Sequence, residues 1–157
     1  MLRKMAHSKA KLTGKHQALD DFMEARQALL VEYIRLSTDR KVLPEPQELS
    51  DFCSQLVDYV SAAHFEIYDY VMAAYESARG SGRTLAERIY LRLKKSSVLA
   101  LNFHDKYAKV DNDEVLLELD KDLSVLGEML EERFSLEDRL VFAVSLLNHL
   151  SANEEPA

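Results

Sequence analysis

Between Leu49 and Ala74, eight apolar side chains recur at spacings of three and four: Leu49, Cys53, Leu56, Val60, Ala63, Ile67, Val71 and Ala74. At about 100° per residue they fall on one stripe of a helix. The stripe predicts a helix from Pro46 or Gln47 to about Ala78, stopped by Gly80-Ser81-Gly82. A helix with one apolar face is stable only when others pack on it. Four glycines and three prolines in 157 residues are too few for the many tight turns of an all-β domain. The class is therefore all-α.

Three more helices are expected. The first runs from about His16 to Ser37 on Leu19, Phe22, Ala25, Leu29, Tyr33 and Leu36. Pro44 and Pro46 disfavour helix before them and close the connection after Thr38. Thr84 with Glu87 reads as a capping box for the third, whose stripe is Leu85, Ile89, Leu93, Ala100, Phe103 and Tyr107. Asp111 with Glu114 reads the same way for the fourth. That segment, to about Ser151, would span roughly 60 Å if straight, against roughly 33 Å for the first helix.

Its leucines at 116, 119, 123, 126 and 130 lie about a quarter-turn from those at 136, 140, 147 and 150. Either a continuous helix wraps the core, or a kink falls at Phe134-Ser135, where Ser135 with Asp138 forms a possible cap. The architecture expected is an antiparallel up-down four-helix bundle with long second and fourth helices, whose overhang can form a groove. One domain over residues 16–152 is expected, with a basic N-terminal tail at 1–15 and a short C-terminal tail at 153–157.

A single cysteine cannot form an intrachain disulfide, and Cys53 lies on the apolar stripe, where a reduced thiol behaves as a small hydrophobe. The basic N-terminus lacks the apolar run of a signal peptide, and no stretch approaches the roughly 18 apolar residues of a membrane span. A soluble cytoplasmic protein without membrane contact is expected.

Charge comes in blocks that the net value of −7 conceals. Met1 to Lys15 has five basic residues and no acid. Pro44 to Ala78 has seven acids and no lysine or arginine, Arg79 to Lys109 eight basic residues and two acids, and Asp111 to Arg139 eleven acids and three bases. Alternation of this kind lets neighbouring helices attract one another. It does not account for the far side of the second helix, where Asp58, Ser61, Phe65, Asp69 and Met72 point roughly opposite to the stripe, setting two large apolar residues amid carboxylates. Such a face suits a basic partner, the alternative being that another helix or a loop covers Phe65.

Catalysis fails on spacing. The carboxylate-bridged metal centre of a helical bundle needs Glu-x-x-His, but Thr13, Ser61, Leu101 and Leu146 stand three before His16, His64, His104 and His149. No H-E-x-x-H, C-x-x-C or glycine-rich phosphate loop occurs, so no cofactor or metal is expected. His64 raises the alternative of a phosphotransfer-type or adaptor domain, but such domains carry lysine and glycine three and four residues on, where this chain has Ile67 and Tyr68. Direct nucleic-acid binding is disfavoured by the acidic body.

The second helix reads Asp51-Phe52-Cys53, Leu56-Val57-Asp58-Tyr59, Ser61-Ala62-Ala63-His64-Phe65 and Ile67-Tyr68, and a second block reads Glu132-Arg133-Phe134 then Leu136-Glu137-Asp138-Arg139-Leu140. Both blocks, with a looser match at Arg26 and Leu29-Leu30-Val31, resemble the Rsd/AlgQ family of bacterial anti-sigma factors. Ala63 departs from the family's glycine, Asp21-Phe22 from its Arg-Trp, and in residues 79–110 no block aligns with its pattern, so no role is carried over there. The resemblance implies binding to the C-terminal promoter-recognition region of the housekeeping sigma factor, keeping it from core RNA polymerase and promoter DNA, with no reaction catalysed. It implies partner contacts for Asp58, Ser61 and Phe65; Asp69 and Met72 join them by helical geometry alone. A monomer or weak homodimer is expected.

Overall fold

The computed structural model describes residues 16–38, 43–63, 68–69, 73 and 81–154, excepting the side chains of residues 16, 18, 81–83 and 143–154. The N-terminal tail, and the second helix's predicted course to Ala78, lie largely outside them. The described residues form α1 (His16–Thr38), α2 (Pro46–Ala62), α3 (Ser81–Tyr107), α4 (Asp113–Leu116) and α5 (Leu119–Glu154), with no strand among them. The class is all-α. No described helix is long and apolar enough to cross a membrane.

α1 packs on α2 and α5, and α3 packs on the same two helices. The core between them takes Leu19, Phe22, Leu29 and Leu36 from α1, as the spacing predicts. From α2 and its C-cap come Leu49, Cys53, Leu56, Val60 and Ala63, joined by Phe52 and Tyr59 on the flank of the stripe. Phe52 meets Phe103 edge-on at 5.9 Å, and Phe22 stacks on Tyr59 at 5.1 Å. Burial pushes the Cys53 thiol up to about 12, so it stays protonated and behaves as a small apolar group.

Helix starts differ from the expectation in two places. α3 begins at Ser81, so Thr84 and Glu87 lie inside the helix and form no cap; Leu85 is 58% exposed while Ala86 is buried. Ala86 lies seven residues before Leu93, about 20° from it around the helix, whereas Leu85 is about 80° away. The predicted start at Asp111 is replaced by Asn112, whose side chain accepts the Glu114 N–H at 2.9 Å.

The fourth segment is not one helix from that start. Leu117 N–H bonds Glu114 O and Glu118 N–H bonds Val115 O, both at 3.2 Å, two tight turns that separate α4 from α5. They let Leu116 and Leu119 both enter the core while Leu117 is 79% exposed.

α5 then runs unbroken through Ser135 for 36 residues, the continuous alternative. The quarter-turn drift of its leucines has a specific cause. Between Leu130 and Leu140 the inward positions are Arg133, Leu136 and Glu137, so a buried charged pair takes two of the places that the leucine stripe would fill. Near its start, α5 approaches α1 at Gly127. A β-carbon there would lie 2.0 Å from the Tyr33 hydroxyl, which donates to Leu123 O at 2.8 Å.

The charge blocks pair across helices. Arg35 of α1 meets Glu48 of α2 at 3.4 Å, Arg92 of α3 meets Glu132 of α5, and Lys106 meets Glu118 and Asp122. These pairs lie on the surface, where water and salt screen them and their contribution is small.

Candidate partner-binding surface

The orientation of α2 is set from inside by a buried charge cluster. Glu137 of α5 is 1% exposed and both its carboxylate oxygens are saturated. Oε2 accepts the Tyr59 hydroxyl in a short bond and Arg26 Nη2 at 3.0 Å; Oε1 accepts the Tyr68 hydroxyl at 2.9 Å and Arg133 Nε at 2.8 Å. Arg26 also donates through Nη1 to Asp138 at 2.6 Å and through Nε to the Tyr59 oxygen at 3.3 Å.

Arg133 uses Nη1 on α3, at Ser96 Oγ (2.7 Å), Ser97 Oγ (3.0 Å) and Leu93 O (3.3 Å); its Nη2 is buried without a hydrogen-bond partner. Rings close over the cations: the Arg26 guanidinium lies 4.9 Å from the Phe134 centroid, and that of Arg133 lies 5.6 Å from Tyr68. Two guanidiniums face two carboxylates, so the cluster is neutral as a unit.

Burial works against the Arg26 charge, but Tyr59 and Glu137 outweigh it and its pKa rises. Burial first, then the Glu137 carboxylate, raises the pKa of Tyr59 and Tyr68, so both hydroxyls remain donors at neutral pH. One polar unit thus ties α1, α2, α3 and α5. A buried pair of this kind adds little net stability over an apolar core but is costly to break, by about 3–5 kcal/mol. Its effect is to fix how the helices are rotated about their axes.

With Tyr59 and Val60 turned inward, their neighbours Asp58 and Ser61 are exposed on the outer side of α2. Every charged residue described on α2 is acidic: Glu48, Asp51 and Asp58, all exposed. Phe65 and Met72 lie outside the described residues, as do His64 and Ile67. Asp69 is exposed, and its carboxylate, after burial, raises the pKa of Tyr90 on α3.

Past Ala63 the uniform phase used in the projection does not hold. Residues nine apart lie on opposite sides of an ideal α-helix, yet Tyr59 and Tyr68 both donate to Glu137. Ala63 and Tyr68 themselves have the wider π-helical form, which delays the phase. Tyr68, 1% exposed, is therefore a core residue that the projected stripe passes over.

Periodicity also misses Arg26, Tyr59, Arg133 and Glu137 as interior residues. The available signal was the interruption of the α5 leucine stripe by an arginine and a glutamate four apart. All four fall in segments that resemble the Rsd/AlgQ pattern, so much of that pattern encodes the interior cluster.

Comparison with known proteins agrees. Residues 1–145 match the family described as "Regulator of RNA polymerase sigma(70) subunit, Rsd/AlgQ". The chain is 32% identical over 147 residues to a "Regulator of sigma D" of Yersinia enterocolitica, covering 90% of this chain and 88% of that one. It is 32% identical over 152 residues to a "Regulator of sigma D" of Shigella boydii, covering 92% and 94%. With a family match over residues 1–145 and relatives 32% identical along nearly its whole length, the chain belongs to the Rsd/AlgQ family of regulators of the RNA polymerase sigma(70) subunit.

Proposed function

We propose that the protein is an anti-sigma factor: it binds the C-terminal promoter-recognition region of the housekeeping sigma factor and keeps it from core polymerase and from promoter DNA. The observation that carries this reading is the outer side of α2, where Asp58 and Ser61 are held outward on a helix whose described charges are all negative. A module built to bind the −35 element of DNA is basic, so an acidic helix attracts and orients it. Asp58, Ser61 and Phe65 form the contact surface, with Phe65 as its apolar anchor; Asp69 and Met72 would extend it only in a uniform helical phase, which does not hold past Ala63.

Inhibition is by occupancy. A sigma module covered by this surface cannot also present its basic face to promoter DNA. The helices act together as an antiparallel four-helix bundle, an arrangement that the pairing of α1 and α3 with α2 and α5 supports. The protein works in the cytoplasm, where polymerase is, as a monomer or weak homodimer that needs no cofactor.

The test is direct binding of the purified protein to the isolated C-terminal module of the housekeeping sigma factor. A one-to-one complex that competes with −35 DNA is expected. Absence of binding at micromolar concentrations, or a complex that leaves DNA binding intact, would overturn the reading.

A further inference from the structure

On their solvent side α1 and α2 line an open groove of about 640 Å³. Its floor is apolar, made by Ala28 and Val31 of α1 with Phe52 of α2 beneath, and Val31 is 55% exposed. Its rims are acidic, with Glu24 and Glu32 on the α1 side and Glu48 and Asp51 on the α2 side. The one lining cation, Arg35, is already engaged by Glu32 at 3.6 Å and Glu48 at 3.4 Å. Four carboxylates against one guanidinium leave the lining at three negative charges.

We propose that this groove seats a basic amphipathic helix of the protein's partner. An apolar side chain of that helix rests on Ala28 and Val31, and its lysines and arginines reach Glu24 and Asp51, in the helix-in-groove mode of recognition. Three observations select this occupant. The net negative lining repels acidic segments and nucleic acid and attracts a basic one. An apolar floor between charged rims matches a helix with one apolar stripe. Asp51, Gln55 and Asp58 follow at i, i+4 and i+7 along one side of α2, so the groove wall runs into the outward surface assigned to the sigma factor. The inference rests on that assignment and deepens it: the partner is held by α1 and α2 together, one helix in the groove and the rest against α2.

The experiment uses the full chain and, as probe, the purified C-terminal module of the housekeeping sigma factor. Three sets of exposed positions are changed: the groove rims (Glu24→Lys with Asp51→Lys), the groove floor (Val31→Arg) and the outer face of α2 (Asp58→Lys). Rim and floor variants are expected to weaken binding about tenfold or more, mainly through slower association for the rim pair, with melting temperatures near that of the wild type. If the wild type binds and Asp58→Lys weakens it, while rim and floor variants stay within about twofold, the groove is not part of the interface and this inference is overturned while the sigma-binding reading stands. If the wild type itself does not bind, both fall.

A fourth variant lacks residues 1–15, which carry five basic residues and no acid. Nearly unchanged affinity is expected. A gain of about tenfold, matched by the rim variant without truncation, would make the chain's own N-terminal segment the occupant and overturn the assignment to a partner helix.

Discussion

Arg26 and Glu137 stand 111 residues apart in sequence and meet at 3.0 Å, where the carboxylate side chain is wholly buried. This pair joins α1 to α5, and Tyr59 bridges it to α2 by accepting from Arg26 and donating to Glu137. The same contact that closes the core therefore sets which side of α2 faces solvent.

Removing the central charge should be costly. Glu137→Gln leaves Arg133 buried without a counter-ion and is expected to destabilise the protein by about 3–5 kcal/mol. For a chain of this size that lowers the melting temperature by roughly 6–20 °C. Arg133→Met with Glu137→Leu should cost less than the sum of the two single changes, since both remove the same ion pair and the double change leaves no buried Arg133 charge behind. Additive losses in urea titrations would show that the two residues are not coupled.

The two tyrosines give the cluster a pH signature. An unfolded tyrosine loses its proton near pH 10, whereas burial and Glu137 hold those of Tyr59 and Tyr68 to higher pH. Above about pH 10 the unfolded chain then binds fewer protons than the folded one, so stability falls as pH rises; below it their contribution is fully present. Tyr59→Phe with Tyr68→Phe should flatten this alkaline slope, at a cost near neutrality of about 1.5–3 kcal/mol for each bond lost to the carboxylate. An unchanged slope between pH 9 and 11 would remove the tyrosines as its source.

Gly127 marks a close approach that alanine cannot share. Helix propensity alone favours alanine by about 1 kcal/mol, but the added β-carbon meets the Tyr33 oxygen at 2.0 Å and Cζ at 2.8 Å. Gly127→Ala is expected to destabilise by about 1–3 kcal/mol net. Because the ring carbon is also too close, Tyr33→Phe should rescue little and Tyr33→Leu much more. Thermal melts of the three backgrounds decide it.

On the proposed surface, Phe65→Ala is expected to weaken sigma binding at least tenfold, about 1.4 kcal/mol, with little change in melting temperature. Ser61 should tolerate alanine and resist a bulky replacement, since its small size permits close approach. Global unfolding of Phe65→Ala, seen by circular dichroism, would make Phe65 a core residue and move the interface elsewhere.

Association should also slow as salt rises, because capture is electrostatic. Stopped-flow rates that are flat between low and physiological ionic strength would count against the acidic face as the steering element.

The sequence by itself determined the all-α class, the faces of α1 and α2 up to Ala63, the first leucine stripe of α5 and the family, because these rest on local periodicity and on linear blocks of residues. Tertiary structure alone decided what periodicity cannot carry. Arg133 and Glu137 are interior only because Arg26, Tyr59 and Tyr68 converge on them from other parts of the chain, and a charged residue is hidden only when such partners exist. Likewise Leu85, an apolar residue on the predicted stripe, is 58% exposed. The start of α5 was decided by the two tight turns that let Leu116 and Leu119 share one core. The α1–α2 groove is lined by residues of two helices brought together, and no window of one helix contains it.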